Sequence, residues 1–487
     1  MVFSSAIFLF AFFPVAFVLY GVVPGMKGKN VVLVGLSLVF YAFGRLSYVP
    51  LLVASVLINW GAGRLLGQIE DKSKRRVVGV LAVVFDVGLL AVFKYLDFLI
   101  GNINAIFGTA IPLTGIPLPL GVSFFTFTAL SYVIEVWRKP KNMAKSLLDT
   151  ALYISFFPAI LSGPIMGYKT AAHQLRERTC TAEKTARGIR RFIVGMAKKL
   201  LIADIVGRMV DGIYGGTVLD ARLAWLAVVG YAVQIYFDFA GYSDMAIGIG
   251  QVFGFALPEN FDRPYTALGM TDFWKRWHIS LTTWFRNYLY MPMVMSRPLQ
   301  KLYKKWAAQY GRARANKLSI LIPMAVVWLL TGLWHGAAWH FVLWGLWHGL
   351  FCALEGVGLI RTKGLEKSAG GRLVLRVYTW LVVMLGSTLF RADSLSQAWQ
   401  MVRAMLTGWQ FSAYGTLALQ RLVNGQNMFC LAVGVLLSVV VLPKRAVPER
   451  VRSGGEALSY VLALALGVLC VMTMAQSGFQ PFIYLQF

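Results

Sequence analysis

The stretch TGLWHGAAWHFVLWGLWHG, residues 331–349, is apolar enough to lie in a bilayer, yet it holds His335, His340 and His348, three of the five histidines in the chain. Ionisable side chains at membrane depth are costly and mark functional sites by default. The small residues of HGAAW predict a turn between two apolar helices, so His335 closes the first helix beside Trp334 and Trp339. A straight helix starting near 318 places His335 about 25 Å along its axis. A neutral imidazole there is poised to take a proton near neutral pH. His340 and His348 follow on the next helix, with no H-x-x-x-H or H-E-x-x-H spacing, so no metal site is expected. Histidines bonded to backbone or to another helix are the expectation for these two.

Working outward, the whole chain shares this character. Of 487 residues, 58% are hydrophobic and 14% charged, and mean hydropathy is +0.64. That excludes an ordinary soluble domain. A bilayer core of about 30 Å needs about 20 apolar helical residues. Candidate spans fall at 3–23, 30–44, 48–66, 77–101, 119–137, 192–214, 223–245, 318–336, 338–360, 374–391, 427–443 and 457–475. The fold expected is an all-α polytopic membrane protein with about 11–13 transmembrane helices and further re-entrant or interfacial helices.

Net charge is +26, from 47 Lys and Arg against 21 Asp and Glu. The basic residues cluster in short loops, as the positive-inside bias requires, so nucleic acid is not the expected partner. EDKSKRR (70–76), RKPKNMAK (138–145), RPLQKLYKKWAAQYGRARANK (297–317), RTKGLEKSAGGR (361–372) and PKRAVPER (443–450) mark the cytoplasmic side, with the N-terminus outside. This electropositive face also suits an anionic donor such as a coenzyme A thioester. The first apolar run lacks a basic leader, which predicts a retained span. Cys180, Cys352, Cys430 and Cys470 form no C-x-x-C pair and imply neither disulfide framework nor zinc.

Two segments, 147–168 and 259–295, begin and end cytoplasmic and read as re-entrant or interfacial. Asp238 and Asp244 sit inside a candidate span. Six residues of helix set them about 240° apart, which argues against a paired-carboxylate mechanism. The structural alternative is pairing with Arg263 or Arg276. Trp274, Trp277, Trp284 and Tyr288 suit a membrane interface, and His278 follows Lys275 and Arg276 near that interface. A hydrated polar residue there is the alternative for His278. No P-loop or G-x-G-x-x-G is present, and GYSDM (241–245) is not a nucleophile elbow.

Five phrases carry a resemblance: FFPAILSGPI, YFDFAGYSDMAIGIG, LPENFDRPY, DFWKRWHISLTTWFRNYLYMP and LTGLWHGAAWHFVLWGLWHG. Together they resemble the membrane-bound O-acyltransferase family, and within it the alginate O-acetyltransferase branch, strongly over about 119–350. The resemblance implies spans and re-entrant helices arranged around a central cavity or tunnel, in one integral-membrane acyltransferase domain, 1–487, with a motif core at 119–350 and peripheral helices at 1–118 and 374–487. It implies that His335 and His278 are catalytic, His335 as the base and His278 orienting or polarising the thioester. Trp334, Trp339, Asp238, Tyr242, Lys275, Arg276, Arg286 and Asn287 are the candidate substrate-binding or supporting residues. No cofactor is held permanently; acetyl-CoA is the expected donor, and an extracytoplasmic polysaccharide hydroxyl the acceptor, reached directly or through a partner acetyltransferase outside a bacterial inner membrane. Relatives that D-alanylate teichoic acid from a phosphopantetheinyl carrier protein offer an alternative, although they tend to be shorter. A proton-coupled transporter is the other alternative, and the two related halves usual for such carriers are not evident.

Overall fold

The computed structural model describes residues 1–440, 449–476 and 482–483. The cytoplasmic marker expected at 443–450 lies outside the described residues as far as 448. Among the described residues every regular element is helical. Six helices are long and apolar enough to cross a membrane: Leu46–Gln68, Lys72–Phe107, Ala221–Val252, Arg312–His335, Ala369–Arg391 and Gly455–Gln476. Helices Ala413–Leu422 and Gly425–Val439, bent by 77°, make a seventh if they act as one span. Several of the other expected spans are shorter or interrupted. Met26–Ala42 and Val122–Arg138 have 17 residues each, and the 192–214 run is broken by a π-helical turn at Lys198–Ala203. The chain is an all-α, multi-pass membrane protein.

Local sequence sets the helix starts. Asp71 accepts the Lys74 amide at 2.7 Å, Ser146 accepts that of Asp149 at 3.2 Å, and Ser368 accepts that of Gly371 at 3.0 Å. Each satisfies an amide that the first helical turn leaves without a partner. Asn424 and Asn427 cap each other reciprocally at the start of Gly425–Val439.

The residues divide into two compact units. The first comprises Met1–Ala197, Gly241–Glu259 and Ala457–Gln486. Its segment 147–168 breaks where expected: helix Leu147–Ser155 ends at Phe156, and a single turn, Phe157–Ile160, precedes irregular backbone. The break is buried, and two hydrogen bonds tie it to the protein around it. The Phe157 amide donates to Ser37 Oγ at 3.0 Å, and Tyr153 Oη donates to the Met166 carbonyl at 2.6 Å. Irregular backbone at membrane depth requires such internal satisfaction. A narrow cleft beside it is lined by Tyr153, Phe156, Ile160, Met166, Phe255 and other apolar residues.

The second unit comprises Lys198–Ala240 and Asn260–Glu456. Here the expected turn at HGAAW forms: helix Leu321–His335 ends on His335, Gly336 is extended, and helix Trp339–Val357 returns. The two helices meet through glycine. A Cβ on Gly345 would stand 2.4 Å from the Trp328 carbonyl oxygen and 2.9 Å from Gly332, and one on Gly349 would meet the Trp328 side chain at 2.7 Å. Gly332 with Gly336, and Gly345 with Gly349, are small-x-x-x-small pairs, which allow helix backbones in membranes to approach closely.

The 259–295 segment is divided into short helices, Met270–Arg276, Ile279–Phe285 and Met291–Val294, with a π-helical turn at Arg286–Tyr290. The interfacial reading of its tryptophans is corrected: Trp274, Trp277 and Trp284 are buried. Trp277 stacks on Phe273 at 5.6 Å, so these rings pack against protein instead of anchoring a surface.

Candidate functional site

His335 is 2% exposed. Its ring makes edge-to-face contacts with Trp334 at 4.8 Å, Trp344 at 4.7 Å and Phe390 at 5.1 Å. The helix break places it there: helix Leu321–His335 ends on His335, and Gly336 is extended. A side chain on Gly336 would collide with the Phe341 ring.

His278 is 1% exposed, so the hydrated-interface reading does not hold. It sits between two short helices in left-handed backbone, φ 43° and ψ 53°. Such a conformation costs a non-glycine residue on the order of 1–3 kcal/mol unless its surroundings impose it. They do so through Asn260. The Ile279 amide donates to the Asn260 carbonyl at 3.0 Å, and the Asp262 amide to the Arg276 carbonyl at 2.9 Å. Asn260 Oδ1 accepts from the Ser280 amide at 3.2 Å and from Ser280 Oγ at 2.9 Å, and lies 3.0 Å from His278 Nδ1. Phe239 closes one side of the ring edge-on at 4.6 Å, and Trp334 packs at 6.0 Å. One indole, that of Trp334, therefore touches both imidazoles, and the two distant histidine phrases converge.

The approach to His278 is fastened from the returning hairpin helix. Glu355 accepts the amides of Met270 at 2.6 Å and Thr271 at 2.8 Å, which caps helix Met270–Arg276. Tyr378 Oη donates to the same carboxylate at 3.1 Å. The Gly269 amide reaches Thr379 Oγ1 at 2.9 Å, and Trp380 Nε1 donates to the Tyr265 carbonyl at 2.7 Å.

Asp238 is buried beside Phe239 and pairs with Lys199 at 2.9 Å, while Lys199 also meets Asp204 at 2.5 Å. Asp244 pairs with Arg191 at 2.8 Å in the other unit. The expected partners were Arg263 and Arg276; Arg276 instead pairs with Asp272, one helical turn away. Arg263 lies nearer to Asp238 in sequence than Lys199 does, so packing and not sequence distance chose the partner.

The other candidate residues separate. Trp334 belongs to the histidine cluster. Trp339, Lys275, Arg286 and Asn287 are exposed, and Arg276 is half-buried. Tyr242 lies in the first unit, stacked between Phe3 at 4.9 Å and Phe482 at 4.5 Å. His340 Nδ1 bonds the Leu389 carbonyl at 3.0 Å, as expected of a structural histidine. His348 differs: it is buried among Trp274, Trp328 and Trp344, with no hydrogen bond to Nδ1 among the described residues. No group of three or more His, Cys, Asp or Glu able to hold a metal ion occurs among the described residues.

Asn260 and Glu355 were not singled out by sequence reasoning. Glu355 had a signal, a carboxylate in an otherwise apolar helix. The repeated GLWHG at 332–336 and 345–349 also announces the glycine contact between the hairpin helices.

The model of the MBOAT, membrane-bound O-acyltransferase family matches residues 122–396. Over its whole length the chain is 34% identical to a protein of Azotobacter vinelandii named "Probable alginate O-acetylase AlgI", with all of that protein covered. A protein of the same name from Pseudomonas aeruginosa is 37% identical over 90% of this chain and 79% of its own. The peptidoglycan O-acetyltransferase of Helicobacter pylori is 31% identical over 83% of this chain and 80% of its own. The chain belongs to the membrane-bound O-acyltransferase family and is an O-acyltransferase.

Proposed function

We propose that this enzyme transfers an acetyl group from cytoplasmic acetyl-CoA to a hydroxyl of an extracytoplasmic cell-surface polysaccharide, directly or through a partner acetyltransferase. The site is a bacterial inner membrane, with the N-terminus outside. His335 takes the proton of the attacking hydroxyl. The oxygen bonds to the thioester carbonyl carbon, the carbon–sulfur bond breaks, and the coenzyme A thiolate leaves and is protonated. General-base help of this kind is worth about 10²–10⁴ in rate. His278 holds the reacting groups in register from the other contact of Trp334. The aromatic wall keeps water from the thioester, which limits hydrolysis.

The observation that supports this most is His335, buried at a helix break among Trp334, Trp344 and Phe390. The alginate and peptidoglycan acetylating relatives support acetyl as the group moved. Donor attraction is supported by segment 297–317, which has seven basic residues and no acidic one. Its helix Arg297–Tyr310 exposes Lys301, Lys304 and Lys305 and half-buries Leu302, Tyr303 and Trp306.

The test uses the purified enzyme in nanodiscs with acetyl-labelled coenzyme A and a bacterial polysaccharide. His335→Ala is expected to stay monodisperse and to lose polymer acetylation. Near-normal acetylation by that variant removes His335 from the role.

A further inference from the structure

Asn260 holds His278 by more than position. Oδ1 and Nδ2 of an asparagine are told apart by their partners, and the Ser280 amide can only donate. The Asn260 atom it reaches at 3.2 Å is therefore the carbonyl oxygen. That oxygen is an acceptor, so His278 Nδ1, 3.0 Å away, must carry the hydrogen between them. A neutral imidazole has one N–H. With it on Nδ1, the lone pair is on Nε2. Protonation leaves the Nδ1 hydrogen in place and adds one at Nε2. The nitrogen that gains and loses a proton is Nε2 in either case.

The backbone supports the same arrangement. Asn260 also accepts the Ile279 amide through its own carbonyl, so one residue binds both the His278 ring and the backbone that follows it. The ring is clamped at Nδ1 while Phe239 and Trp334 limit its rotation. A partner that fixes the tautomer and direction of a functional histidine is a second layer of the site.

We infer that Asn260 is a positioning residue that locks His278 as the Nδ1-protonated tautomer, so that His278 engages substrate as a hydrogen-bond acceptor at Nε2. This rests on the proposed acyl-transfer reading and refines it. A neutral His278 so held cannot polarise a thioester carbonyl, because Nε2 has no hydrogen to donate. It takes a hydrogen bond from an O–H or N–H of the substrate.

The experiment has two arms. In the first, histidine-¹⁵N-labelled enzyme in nanodiscs is examined by NMR, with the His278 signals identified by their loss in His278→Gln. Nε2 is expected as an unprotonated nitrogen in the wild type and in Asn260→Asp, whose carboxylate preserves the acceptor, and as a tautomer mixture in Asn260→Ala. A neutral wild-type ring with its hydrogen on Nε2 overturns the inference. In the second arm, Asn260→Ala is expected to lower kcat about 10–100-fold, the range found when such orienting partners are removed, with Asn260→Asp within a few-fold of wild type. Equal loss in both variants, or no loss in Asn260→Ala, overturns the positioning role. If Asn260→Ala fails to fold, the wild-type and Asn260→Asp spectra still decide. If the wild type moves no acetyl group, the proposed function fails, and the spectra alone judge the tautomer.

Discussion

The Glu355 carboxylate accepts the Met270 amide at 2.6 Å, joining the helix that returns from His335 to the short helix that leads into His278. The pair lies 85 residues apart in sequence. Through it, the two histidine phrases share a hydrogen-bonded connection in addition to their aromatic contacts.

Removing that connection has a stated cost. Loss of an N-terminal cap costs about 0.5–2 kcal/mol, and bonds to a charged acceptor lie at the upper end. Glu355→Ala is expected to lower the melting temperature of the detergent-solubilised enzyme and to reduce turnover. Glu355→Gln, which keeps one acceptor oxygen, falls between it and wild type. Unchanged melting and turnover in Glu355→Ala would show that the cap does not position His278.

The histidines of the hairpin separate by environment. His335→Ala is expected to lose about 10²–10⁴ in acetyl transfer. His340→Ala removes a bond to the Leu389 carbonyl instead, so a modest loss of stability with most activity retained is expected. Side-by-side rates and melting curves check both. A greater loss of rate in the His340 variant would reverse the assignment.

The glycine contact in the hairpin tolerates little. A Cβ at Gly345 would lie 2.4 Å from the Trp328 carbonyl oxygen, whereas one at Gly35 meets nothing within 4 Å. Overpacking of this kind costs about 1–3 kcal/mol, while Gly to Ala in an open helix position gains up to about 1 kcal/mol. Gly345→Ala should therefore melt earlier than wild type and Gly35→Ala no earlier. Thermal denaturation of both in the same detergent decides.

Lys199 is buried with Asp204 and Asp238. Removing one partner of a buried ion pair costs about 3–5 kcal/mol, because charge is left without compensation. Lys199→Met alone is expected to express poorly or melt early. Adding Asp204→Asn and Asp238→Asn to it should recover much of the stability. Failure of the triple variant to improve on the single one would mean that Lys199 acts through shape and not charge.

The exposed basic face of helix Arg297–Tyr310 makes a kinetic prediction. Steering of an anionic donor acts on association and weakens with salt. Lys304→Glu with Lys305→Glu is expected to raise KM for acetyl-CoA several-fold at low ionic strength, with kcat little changed and the difference shrinking as salt rises. An unaltered KM at low salt would detach this helix from donor binding.

Hydropathy and local chemistry determined the all-α membrane fold, the break at HGAAW and the irregular backbone after Phe156, because apolar run length, proline, glycine and small residues act over a few neighbouring positions. They also marked His278 and His335 through the phrases around them. Only the tertiary structure decided that Lys199, not an arginine, neutralises Asp238, that Asn260 Oδ1 lies 3.0 Å from His278 Nδ1, and that Trp277 and Trp284 are core and not interface. Those outcomes depend on which helix faces meet across tens to hundreds of residues. Burial makes such meetings selective: a polar group removed from water must find its partner wherever packing places one, and sequence neighbours hold no advantage there.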